Sequence, residues 1–330
     1  MAEYVEGRAA VVAASGEEND MAFPALPELE RWEANMLVHG AVIGDKARHS
    51  LPESVGTDGP EDVTFYDGAR VFYQIADYTR DPAWNEPARA CARLYRESMV
   101  LAHEGSVHGW RIFPHGLYED YRRTGDERSR HALLLLARHG HFGAEGTPPE
   151  ATENEALSRE VAYNLNTFLA VMKLGEPQPA RLALLYEHAL GHLEQWFVQE
   201  SCDNYAPFMF GLTAEALISY FDQVAPDPRV PAGLQRGCDW TWEHAWLPEH
   251  EAFWYRLDQQ QPAPTLKQLV APVYAWVARQ TGELRYLEQG DRIFAGGAKY
   301  ADLNGGKTFN QNYRWSFAYL QWRADPLRSR

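Results

Sequence analysis

The sequence predicts an all-α protein built from helical hairpins in a single domain, and two observations carry that expectation. Helix stops followed at once by helix starts recur in "YTRDPAW" from Tyr78, "RRTGDERS" from Arg122, "KLGEPQPA" from Lys173, "QVAPDPRV" from Gln223 and "RQTGELRY" from Arg279. Gly or Pro ends one segment, and Asp, Glu or Pro opens the next. Apolar residues recur at helical spacing on both sides of these turns. Val161, Leu165, Phe168 and Met172 lead into the Gly175 turn, and Leu182, Leu185, Ala189, Leu193 and Trp196 lead out of it.

The elements follow in order. An extension over 1–26 precedes an early helix near 28–43. Segments before the turns, near 64–78, 115–123, 157–173, 206–222 and 266–280, form one series. Those after the turns, near 84–103, 127–141, 180–199, 230–245 and 283–301, form a second. The markers Arg80, Gly125, Gly175, Pro226 and Gly282 lie about 45 to 56 residues apart, enough for two helices and a loop. "AFWYRL" around Phe253 is the only short strand candidate. A closing helix near 310–322 carries Trp315, Ala318, Tyr319 and Trp322 on one stripe. It joins the first series and the early helix joins the second, giving six of each over 27–330.

Six inner and six outer helices in alternation resemble the (α/α)6, or six-hairpin, toroid of many glycoside hydrolases and polysaccharide lyases. The resemblance covers most of the chain and rests on architecture. An α-solenoid shares the hairpin logic, as does a prenyl-cyclase barrel, whose Asp-rich metal motif this chain lacks.

Composition bounds the partners. With 45% hydrophobic and 23% charged residues in 330, the chain reads as a globular protein. A formal charge of -15, with no Lys/Arg block, disfavours nucleic acid and anionic membrane. A polyanionic sugar would need a local basic pocket. No apolar stretch reaches membrane-span length, and "AAVVAAS" is too short for a signal core. Compartment stays open: periplasmic or secreted if a leader was removed, otherwise cytoplasmic. Cys91, Cys202 and Cys238 show no CxxC spacing and read as buried thiols. No GxSxG, P-loop or GxGxxG fingerprint stands in its required context, so no cofactor is expected. His188 and His192 are i, i+4 without an HExxH glutamate, which reads as a solvated face rather than a metal site.

The tight turns crowd one face of the predicted ring, which leaves the long loops and the inner-helix entrances on the other, where binding residues are expected. "GGKTFNQNYRW" loads Asn310, Asn312, Tyr313 and Arg314 into one helix start, more than a cap requires. "HGWRIFPHG" brings His108, Trp110, Arg111 and His115; "SREVAYNLN" brings Arg159 and Tyr163; "CDNYAPF" brings Asn204 and Tyr205; "FWYR" brings Trp254, Tyr255 and Arg256. Each alone is an ordinary structural hydrogen-bonder; their coincidence on one face is the signal. Arg111, Arg159, Arg256 and Arg314 are expected to make that face locally positive.

The resemblance to toroidal lyases implies a polysaccharide lyase acting on an alginate- or glucuronan-type polymer, with an acidic polysaccharide or oligosaccharide as its partner. β-Elimination needs a neutralised C5 carboxylate, a base for the α-proton and an acid for the leaving oxygen. Such lyases assign neutralisation to Asn, His or Arg and proton transfer to Tyr. That implies Tyr313 or Tyr255 as base and acid, with Asn204, His115, Arg111 and Arg314 around the carboxylate. A tyrosine base requires a depressed phenol pKa, for which a nearby Arg is the reason. The alternatives are a glycoside hydrolase using paired carboxylates from Asp67, Glu160 and Asp203, and a sugar-binding toroid without catalysis.

Overall fold

A computed structural model describes residues 24–56, 59, 61–199 and 204–324. Most of the N-terminal extension, Cys202 and Asp203 lie outside the described residues. The described chain is mostly helical with very little strand, as the all-α expectation requires. The early helix α1 (Leu29–His49) precedes α2 (Gly68–Thr79) and α3 (Asn85–Tyr95), then α4 (Pro114–Thr124) and α5 (Glu127–His139). The next pairs are α6 (Ser158–Lys173) with α7 (Leu182–Phe197) and α8 (Pro207–Gln223) with α9 (Arg229–Ala245). After α10 (Ala271–Thr281) and α11 (Leu284–Lys299) come α12 (Gly306–Tyr313) and α13 (Ser316–Arg323). Strands β1 (Trp246–Leu247), β2 (Ala252–Trp254) and β3 (Pro262–Ala263) form one small antiparallel sheet. The start of "AFWYRL" is its central strand.

The turns work as their residues dictate. Gly125, Gly175 and Gly282 end α4, the α6 segment and α10 with φ of 72°, 84° and 74°, a left-handed conformation that glycine adopts without Cβ cost. Arg80 ends α2 in the same region without being glycine. After Arg80 and Gly125 an aspartate side chain caps the next turn: Asp81 accepts from the Ala83 amide and Asp126 from the Arg128 amide, both at 2.9 Å.

Packing divides the helices into two layers. α6 is buried from Ser158 to Val171 apart from Arg159, as befits a helix enclosed on all sides. Its partner α7 buries one stripe, including Leu185, Ala189 and Trp196. Each tight turn folds a hairpin: α2 on α3, α4 on α5, α6 on α7, α8 on α9 and α10 on α11. The first members also touch in succession, α2 on α4, α4 on α6, α6 on α8 and α8 on α10; α10 then meets α13, and α12 meets α2.

Two expectations are corrected. The closing helix is broken: α12 stops at Tyr313 and α13 starts at Ser316, with Arg314 and Trp315 between them turned toward Glu215 of α8. His188 and His192 do not form a solvated face. His192 is buried with Nε2 at 3.2 Å from the Thr152 carbonyl, and His188 Nδ1 lies 2.9 Å from Thr152 Oγ1, so the pair pins the long loop before α6.

Candidate functional site

A cleft of about 710 Å³ opens where the loop before α2, the turn before α4 and the first turns of α6, α8 and α12 meet the segment around β3. Phe65, Tyr66, Trp110, Phe208 and Tyr255 supply flat aromatic walls, and Gln259, Gln261 and Gln311 supply amides. Two cations, Arg159 and Lys307, line it. Among the described residues no carboxylate does, in a chain whose formal charge is -15. Arg159 is partly compensated, since its Nη2 donates to Glu160 Oε1 at 2.8 Å. Its guanidinium also lies 6.0 Å from the Trp110 ring centre, and the Lys307 ammonium stands 4.4 Å over Phe65. Tyr255 stacks on Phe208 with centroids 5.5 Å apart.

Tyr66 sits in a strained piece of backbone. Both Tyr66 and Asp67 take left-handed φ values, 56° and 63°, which cost a non-glycine residue of order 1 kcal/mol or more and persist only where surroundings enforce them. The enforcement is visible. The Asp67 carboxylate accepts from the Gly116 amide at 3.1 Å and from the Arg70 amide at 3.3 Å. The Asn310 side chain donates to the carbonyls of Val63 and Phe65. Position 116 must be glycine, because a Cβ there would lie 2.3 Å from Asp67 Oδ1. Burial pushes the Tyr66 phenol up to about 12, against the pull of Arg159, so it stands as a proton donor at neutral pH.

Beside Tyr66 lies a buried polar cluster. Tyr66 meets Trp315 edge-on at 5.6 Å, and the Arg314 guanidinium covers the Trp315 ring at 4.3 Å. Glu215 is the cluster's anion: its Oε1 accepts from Arg70 at 2.6 Å, and its Oε2 from Trp315 Nε1 at 2.8 Å and Arg314 Nη2 at 3.4 Å. Burial alone would raise its pKa, but Arg70 and Arg314 hold the carboxyl well below the usual range. Burial, reinforced by Arg70, keeps the His115 imidazole neutral by lowering its pKa.

Of the residues singled out by sequence, Trp110, Arg159 and Tyr255 reach the cleft, while Tyr163, His115 and Arg314 belong to the buried cluster. Tyr313 does neither. It is buried against α1, donates to the Trp32 carbonyl at 2.9 Å, and burial pushes its phenol up, opposite to what a base needs. Arg111 is buried and spends Nη1 and Nη2 on Asp62 at 3.0 Å. Arg256 pairs with Asp258 at 2.7 Å. The expected convergence of four arginines is therefore replaced by Arg159, Lys307 and the buried Arg314. Tyr205 packs among Trp196, Phe197 and Trp240 in the core. Trp254 is half-buried on β2, and Asn204 is exposed before α8; neither lines the cleft. His108 is exposed and stacks on Trp110 at 4.8 Å. Asn310 and Asn312 are tethers rather than binding groups, the latter donating to the Thr308 carbonyl at 2.8 Å. Asp67 and Glu160 are buried outside the lining.

Sequence reasoning missed Tyr66, Phe208, Gln311 and Glu215. Lys307 and Gln311 lay inside the polar stretch already noted, where each sits one turn from Arg314 or Asn310. No protein-family model matches this chain, and no curated protein matches it in sequence. No described helix is long and apolar enough to cross a membrane, and no group of three or more His, Cys, Asp or Glu among the described residues could hold a metal ion.

Proposed function

We propose that this chain is a polysaccharide lyase that cleaves a uronic-acid-containing polymer of alginate or glucuronan type, on an (α/α)6 ring with α2, α4, α6, α8, α10 and the α12–α13 pair inside. The ring is supported by the succession of neighbouring helices, which returns from α12 to α2. The observation that carries the substrate class is the cleft lining: aromatic faces, amides, Arg159 and Lys307, without a described carboxylate. Aromatic walls suit pyranose faces. A cationic site in an acidic protein favours an anionic ligand specifically rather than by bulk attraction.

In this reading Arg159 and Lys307 neutralise the C5 carboxylate, which acidifies the neighbouring proton. Tyr255 takes that proton. The electron pair becomes the C4–C5 double bond as the C4–O bond breaks, and Tyr66, protonated at neutral pH, passes its proton to the leaving oxygen. A hydrolase on the same scaffold needs two carboxyl groups facing the scissile bond. The described lining offers none, and the Asp67 carboxylate is occupied by backbone amides.

A screen of uronate polymers tests the reading: ultraviolet absorbance of an unsaturated uronate product, followed beside a reducing-sugar assay. Reducing ends with no unsaturated product would replace the lyase with the hydrolase. Saccharide binding with neither signal would leave a binding module.

A further inference from the structure

We infer that Arg314 and Tyr163 form an enclosed site for one carboxylate group, set behind Tyr66 and distinct from the open cleft. Arg314 is fully buried, yet only its Nη2 has a hydrogen-bond acceptor, the long 3.4 Å contact to Glu215. Its Nε and Nη1 have none, and the buried Tyr163 hydroxyl and His115 Nε2 have none either. A buried guanidinium with idle donors is costly unless an acceptor completes it.

The two neighbouring carboxylates are already committed. Glu215 already receives Arg70 on one oxygen and Trp315 on the other, at 2.6 and 2.8 Å. Asp67 is committed to the amides of Gly116 and Arg70. Turning either toward Nε or Nη1 would break bonds of the same kind. The guanidinium carbon lies 5.4 Å from the centre of the Tyr163 ring, so these residues, from the α12–α13 break and from α6, are neighbours that both carry unused donors. A carboxylate has two oxygens to accept from two such donors and brings one negative charge to one under-compensated cation. Tyr66 belongs to both environments. It lines the cleft, and Arg314 and Tyr163 both lie within electrostatic reach of its phenol.

The carboxylate has two sources: a sugar unit of the substrate, which rests on the lyase reading, or a small free carboxylate, which does not. Acetate, glucuronate and glucose, titrated by calorimetry against the full chain, distinguish them. Binding of both acetate and glucuronate, but not glucose, marks a general carboxylate site; binding of glucuronate alone marks a sugar-borne group. In either case Tyr163→Phe, which removes a hydroxyl with no internal partner, should leave the melting temperature unchanged while weakening binding by roughly tenfold, the loss of about one charge-assisted hydrogen bond. Failure of both carboxylates to bind, or equal affinity in Tyr163→Phe, overturns the site. If carboxylates bind as expected while no uronate polymer yields unsaturated product, the lyase reading fails and the site stands. If polymer is cleaved, and Tyr163→Phe cleaves it with unchanged kcat and KM and binds acetate and glucuronate as the native chain does, the site fails and the lyase stands.

Discussion

The side-chain amide of Asn310 donates to the Phe65 carbonyl at 2.8 Å across 245 residues of chain, and it gives a second bond to the Val63 carbonyl at 2.9 Å. These two bonds join α12 to the loop that presents Tyr66. Gly68 fits beside them only because it lacks a Cβ, which would stand 2.0 Å from the Val63 carbonyl oxygen. Asn310→Ala leaves both carbonyls without this donor in a buried setting, so urea denaturation should show a loss of roughly 2–4 kcal/mol. A loss well under 1 kcal/mol would mean that the loop is held by other contacts.

The two tyrosines named as base candidates should separate cleanly. Tyr255→Phe keeps the ring stacked on Phe208 and removes a hydroxyl in the cleft, so turnover on the responsive uronate polymer should fall by roughly a hundredfold or more. Tyr313→Phe instead loses the bond to the Trp32 carbonyl, at a cost of about 1 kcal/mol in stability, with turnover nearly unchanged. The reverse pattern in kcat would return proton transfer to Tyr313.

Charge in the cleft gives a binding test. Arg159→Ala and Lys307→Ala should each weaken binding of an acidic oligosaccharide by roughly tenfold and flatten its dependence on salt, while leaving binding of a neutral oligosaccharide nearly unaltered. Equal losses for charged and neutral sugars would point to packing over Trp110 and Phe65 as the contribution of these side chains.

Hairpins were legible because their stops are chemical: glycine at positions 125, 175 and 282 is what a left-handed helix end selects, and Asp126 is a cap by residue type. The break at Arg314 was not. The apolar stripe of Trp315, Tyr319 and Trp322 continues through it, and only the distant Glu215 explains why Arg314 and Trp315 turn away. Tyr66 was hidden for a related reason. Its loop has no period, and its positive φ is imposed by Asn310 and Gly116, both remote in sequence. Arg111 was misread because Asp62, the partner that consumes it, lies 49 residues away. Residue type located a polar stretch at Asn310, but α12 starts at Gly306 and that stretch is its last turn rather than its first, and only tertiary pairing sorts its members into tethers and groups that face the cleft.

Acid stability should depend on two neutral histidines. Burial holds His192 at about 4, from an ordinary 6.5, and burial with Arg70 holds His115 well below the same value. The unfolded chain protonates both near pH 6.5, whereas the folded chain resists until lower pH. Throughout that window the unfolded state binds more protons, so stability rises with pH; it is fully present above the unfolded value and is lost as pH falls toward the folded ones. Between pH 7 and pH 5, His192 alone should contribute a loss of about 2 kcal/mol. Glu215 acts lower down: its depressed carboxyl contributes stability above the ordinary 4.5 that is lost on further acidification. Asp67, raised by burial, has the opposite sign, since its ionisation disfavours the folded state as pH rises through the folded value. Urea denaturation of the native chain and of His192→Gln at pH 7 and pH 5 checks the assignment. The variant should lose less stability over that interval; an unchanged pH slope would move the acid sensitivity to groups other than His192.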